Sequence, residues 1–128
     1  SVNAVKSACE NMRESGAKRA ILLPVGGAFH SPLMEPARVK LANAIENTNF
    51  ISPICPVFQN VVAEAVTDSL AIKKNLVAQL TTSVRWTQTI EKMVAHGIKN
   101  FIEVGPGKVL QGLIKKINQE TNISSAKY

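Results

Sequence analysis

Apolar positions recur along this chain with two periods, and their alternation predicts helices separated by short strands. Over residues 3–15, Val5, Ala8, Cys9 and Met12 sit at helical spacing, with Gly16 suited to the C′ position. The run Ala-Ile-Leu-Leu-Pro-Val, 20–25, reads as a buried strand closed by Pro24 and the Gly26-Gly27 pair. Leu33, Ala37, Leu41, Ala44 and Ile45 mark one face of the next helix, whose first turn holds Pro32 and Glu35, both favourable there. Pro-Val-Phe-Gln-Asn-Val-Val, 56–62, reads as a strand, and Thr67 or Asp68 caps a helix carrying Leu70, Leu76, Val77 and Leu80. A further helix spans 84–96, with Trp86, Ile90, Met93 and Val94 inward and Gly97 as its stop. Residues 98–104 predict a strand and Gly105-Pro106-Gly107 a tight turn. Val109, Leu110, Leu113, Ile114 and Ile117 then form the stripe of a last amphipathic helix. Strands separated by helices imply βαβ units and a parallel sheet, so the fold class is α/β.

Composition narrows the classes. The 128 residues suffice for one domain's core, and 45% hydrophobic with 19% charged residues is a globular balance. No apolar run approaches the roughly 20 residues of a membrane span, and the opening residues do not form a signal peptide. Cys9 and Cys55 have no metal-ligand spacing, which implies no metal site; they are expected to be reduced and buried, in a cytoplasmic setting. The net charge is +6, but Lys and Arg are scattered and never exceed doublets. No interleaved basic-aromatic pattern accompanies them, so nucleic acid is not expected as a partner. A basic face suits an acidic protein or a phosphorylated ligand.

His30, one of two histidines, lies in Gly-Gly-Ala-Phe-His-Ser-Pro-Leu-Met-Glu-Pro, 26–36, just past a predicted strand and before a helix. Ligands of open parallel sheets bind at the carboxyl ends of strands. A neutral imidazole placed there can act as a general base. His96, at a helix C-terminus beside Gly97, is explained by the helix dipole and solvent.

The blocks GAKRAILLPVGGAFHSPLMEPA, PVFQNV, LVAQLTTSVRWTQTIEKM and FIEVGPGKVLQGLIKKI, in order and without large gaps, resemble the malonyl-CoA:acyl carrier protein transacylases. That resemblance implies transfer of a malonyl group from malonyl-CoA to the phosphopantetheine thiol of acyl carrier protein, through an acyl-serine, in fatty acid biosynthesis. No cofactor is implied. The family's histidine base matches His30, and the residue whose main-chain carbonyl orients it matches Gln79. Phe29 matches a position that shapes the acyl pocket, where a ring crowds an α-methyl and favours malonyl. Val109 matches a residue lining the same cleft, although the residues alone make it part of a helix stripe. Asn60 follows a strand, and binding near the site and turn capping both fit it.

The family's nucleophile stands in Gly-His-Ser-x-Gly, and none of this chain's serines does. Ser31 adjoins His30 but heads a Ser-Pro helix start, where N-capping is its expected work. The family's carboxylate-binding arginine and its Gln-containing loop also have no counterpart here. The resemblance is therefore to a C-terminal portion, inactive alone. Residues 1–24 would end a small ferredoxin-like subdomain and 25–128 would belong to a large α/β-hydrolase-like one. With no strand ahead of 20–25 to pair with it, an uncovered edge and self-association are expected. Two other readings stay open: a non-catalytic carrier-protein-binding module, and an acyltransferase segment of a polyketide-type synthase.

Overall fold

In the computed structural model, which describes residues 1–127, five helices and four short strands follow one another along the chain, alternating singly only in its last third. Helix α1, Val2–Glu14, starts where the Ser1 hydroxyl accepts the Ala4 amide at 3.3 Å, and it buries none of its residues. A single 3₁₀ turn, Pro32–Met34, leads directly into α2, Glu35–Glu46. Strands β1, Val57–Phe58, and β2, Ala65–Val66, form an antiparallel pair. Helix α3, Ser69–Ala78, is capped by Asp68, whose carboxylate accepts the Ala71 amide at 2.7 Å. Helix α4, Trp86–Ala95, strand β3, Asn100–Glu103, helix α5, Val109–Ile117, and strand β4, Asn122–Ser125, complete the described chain.

The mixed helix and sheet content agrees with the α/β reading, and β3-α5-β4 is a βαβ unit with its strands parallel, Phe101 opposite Ile123. Helix α2 packs on α3, and α4 packs on α5. The buried apolar residues come from these elements: Ile45 on α2, Ile72 on α3, Ile90 on α4 and Ile114 on α5, with Ala63 in the β1–β2 turn. The turn after β3 needs left-handed backbone at Gly105 (φ 140°) and Gly107 (φ 87°). It returns Glu103 to the start of α5, where its Oε1 accepts the Leu110 amide at 3.1 Å. Helix α5 has no side-chain cap at Lys108, so Glu103 satisfies one of the amides that a helix start leaves free.

Several expectations need correction. Residues 20–25 form no strand, and Ile21, Leu22, Leu23 and Val25 are exposed; no described strand lies beside them to take up their backbone pairs. The strand expected over 56–62 contracts to Val57–Phe58, because the Ala63 amide donates to Gln59 O at 2.9 Å and closes a turn. The helix expected from Val84 begins at Trp86. On the stripes, Leu33, Leu70 and Val109 face solvent. Both cysteines are free, as expected, but Cys55 is exposed and Cys9 only half-buried, for neither lies on a packed helix face.

Candidate functional site

His30 occupies a left-handed backbone conformation, φ 59°. Such a residue without glycine's freedom is held by its surroundings at a cost of about 1–3 kcal/mol, a feature that concentrates at functional sites. Ser31 supplies the restraint. Its hydroxyl donates to Ala28 O at 2.7 Å and accepts the Leu33 amide at 3.3 Å, so both bonds bracket His30. The N-capping role expected for Ser31 is the observed one. A Ser31→Ala variant is expected to lose about 0.5–2 kcal/mol of stability, the usual cost of an absent cap. Urea unfolding of the two proteins measures it, and an unchanged midpoint would remove Ser31 from the account of this turn.

The His30 ring reaches across the fold to the end of α3. Its Nδ1 lies 2.8 Å from the main-chain oxygen of Gln79, 49 residues away in sequence. A carbonyl oxygen only accepts, so Nδ1 carries the proton and Nε2 keeps its lone pair. The helix end explains why this carbonyl is available. The last carbonyls of a helix lack intrahelical partners. Ala78 O is satisfied by the Thr81 amide at 3.2 Å and the Thr82 hydroxyl at 3.0 Å, while Gln79 O, one residue on, receives His30.

The nearby charge is engaged elsewhere. Arg38 donates to both Glu35 oxygens, at 2.7 and 2.5 Å. That hydrogen bonding, reinforced by charge attraction, holds the Glu35 carboxyl below its ordinary pKa and raises that of Arg38. Among the described residues, no carboxylate hydrogen-bonds to His30. The other histidine, His96, caps α4, its Nδ1 donating to Lys92 O at 2.7 Å and its ring edge-on to Phe58.

The remaining sequence candidates are less closely gathered. Phe29 is 61% exposed beside His30, its ring 3.3 Å from where a Cβ on Gly27 would stand. Val109 opens α5 and is 72% exposed. Asn60 lies in the β1–β2 turn, where its main-chain oxygen accepts the Arg85 amide at 3.1 Å. Among the described residues, no hydrogen bond joins Asn60 or Val109 to His30. An open apolar groove of about 640 Å³ runs from Val2 and Val5 along Ile21–Leu23 to Gly27 and Ala28, ending two residues before His30. No three His, Cys, Asp or Glu side chains among the described residues are grouped to hold a metal ion, and no helix is long and apolar enough to cross a membrane.

The sequence and fold that carry this histidine are similar to those of known proteins. No family model matches the chain. The malonyl CoA-acyl carrier protein transacylase of Bacillus subtilis is 46% identical over 115 residues, 90% of this chain and 36% of that protein. The chain is similar to part of a malonyl CoA-acyl carrier protein transacylase. It spans little more than a third of the curated relatives it matches. The crystal structure of an acyl carrier protein S-malonyltransferase from Vibrio cholerae superposes with a TM-score of 0.88 at 43% identity, covering 97% of this chain and 40% of that one. A malonyl-transacylase solved in complex with its type II polyketide synthase acyl-carrier protein matches at a TM-score of 0.85 and 40% identity, with the same coverage.

Periodicity could not have found the His30–Gln79 pair, since the two residues lie on different elements; the resemblance supplied it. Gln59 is a buried amide, and its one signal in the sequence is a polar side chain inside a predicted strand.

Proposed function

We propose that this chain is the histidine-bearing part of a malonyltransferase that moves a malonyl group from malonyl-CoA to the phosphopantetheine thiol of acyl carrier protein, in cytoplasmic fatty acid biosynthesis. The observation that carries the reading is the 2.8 Å bond from His30 Nδ1 to Gln79 O, which leaves Nε2 free as a base. Nε2 takes the proton of a serine hydroxyl as that oxygen attacks the malonyl thioester. It returns the proton to the departing CoA thiolate. In the second half it deprotonates the carrier's thiol, which attacks the acyl-serine; the serine ester bond breaks, and Nε2 returns that proton to the released serine oxygen. A neutral carbonyl orients the ring while stabilising imidazolium less than a carboxylate would.

The serine is supplied by sequence flanking these residues in a longer protein, since no Gly-x-Ser-x-Gly occurs here. Phe29 and Val109 line the acyl pocket, Phe29 against an α-methyl, and Asn60 lies at its edge. Helix α1 with the extended segment after it belongs to a small ferredoxin-like subdomain, and residues from 25 onward to a large α/β-hydrolase-like one. The apolar groove beside α1 receives the flanking sequence; without it the same surface drives self-association. The net charge of +6 suits an acidic carrier.

Intact-mass measurement after incubation with malonyl-CoA tests this reading. The full-length protein is expected to gain one malonyl group and to lose it when carrier protein is added. A stable adduct on residues 1–128 alone would place a nucleophile among side chains given other work here.

A further inference from the structure

We propose that Gln59 is a positioning residue, whose side-chain amide holds the segment that presents the Gln79 carbonyl to His30. The inference rests on the reading of His30 as the base and names what keeps that base aligned. Gln59 is only 6% exposed, and both ends of its amide are bonded to α3. Nε2 donates to Ile72 O at 3.1 Å, and Oε1 accepts Nδ2 of Asn75 at 2.9 Å. The main-chain oxygen of Asn75 in turn accepts the Gln79 amide at 3.0 Å. Gln59 thus grips α3 at two points one turn apart, Ile72 and Asn75, and the second of these bonds directly to the cap that faces His30.

The neighbouring residue holds the other end of the same segment. Asn60 O accepts the Arg85 amide at 3.1 Å, at the start of α4. Consecutive residues of one turn therefore secure residues 79–85 on both sides. The turn itself has little room to shift: the Ala63 amide closes onto Gln59 O at 2.9 Å, and Ala63 is 1% exposed at φ 53°. Burying an amide is unfavourable unless both its groups are bonded, and when they are it fixes direction in a way an apolar side chain cannot. A leucine would fill similar space at position 59 and leave α3 free to slide by a fraction of an ångström. That displacement acts on the Gln79 carbonyl, and through it on the ring.

The test uses full-length protein with ¹³C,¹⁵N-labelled histidine, its His30 signals assigned by their loss in His30→Asn. The parent protein is expected to show the neutral Nδ1–H tautomer. In Gln59→Leu the ring is expected to shift towards Nε2–H, and kcat for malonyl transfer to fall on the order of 10- to 100-fold, as for a small misplacement of a reacting group, with KM little changed. Asn75→Ala, which loses one of the two side-chain bonds on a good helix former, is expected to move both readouts the same way by less; it carries the test if Gln59→Leu does not fold. An unchanged tautomer in folded Gln59→Leu overturns the proposal. A shifted tautomer with unchanged kcat supports Gln59 as the positioning residue and instead removes His30 from the role of base.

Discussion

Replacing His30 by alanine in the full-length protein is expected to lower malonyl transfer on the order of 10²- to 10⁴-fold, the usual worth of a positioned base. The lower bound corresponds to about 2.7 kcal/mol of barrier. In the proposed mechanism both half-reactions need the imidazole, so acylation by malonyl-CoA and discharge to the carrier should slow together. Alanine also meets the left-handed backbone at this position, φ 59°, which strains the turn for a reason separate from catalysis. His30→Asn separates the two effects, because asparagine tolerates this conformation yet offers no base. Matching losses in the two variants assign the effect to proton transfer. Gln79→Ala provides the opposite control: the bond to His30 comes from the main chain, which the substitution leaves in place, so most activity should remain. Near-normal turnover by His30→Asn would sink the catalytic assignment.

What the sequence disclosed of this site depended on how local each feature was. Helices α4 and α5 were legible because a helix writes its own period into the chain, and Ile90 and Ile114 sit on the expected stripes. The capping of the 3₁₀ turn by Ser31 and of α3 by Asp68 was legible for the same reason, each cap bonding an amide two or three residues on. Segment 20–25 departs from the expected strand because an apolar run records that burial is needed without recording what covers it. Strand β4 went unseen: Asn122–Ser125 is polar and pairs in parallel with β3 across an intervening helix, so no alternation and no hairpin turn announces it. The His30–Gln79 bond belongs to this non-local class, and only its resemblance to known chains made it visible beforehand. The left-handed conformations of His30 and Ala63 had no local signal at all, since neither residue is glycine.

Ile90→Ala is expected to destabilise the protein by about 2–5 kcal/mol, the range for emptying a packed core position. Ile90 is 1% exposed and is the largest fully buried side chain among the described residues. It lies where α4 meets α5 and β3, beside a cavity of about 140 Å³ that Trp86, Met93, Phe101, Leu110 and Ile114 also line. Removing it loses the transfer energy of the deleted carbons. It also leaves a hole that the packed neighbours refill only in part. Globular domains hold only about 5–15 kcal/mol in total, so the loss is a large share of it. Trp86 is the sole tryptophan of these 128 residues, and its position on the same cavity makes the fluorescence of residues 1–128 in urea a direct probe of this contact. The unfolding midpoint should fall with the slope unchanged, the mark of lost stability and not of an altered unfolded state. Val109→Ala on α5, where the side chain is 72% exposed, should shift the midpoint little by comparison. If the two variants fell equally, the α4–α5 contact would not be the part of the fold on which its cooperativity depends.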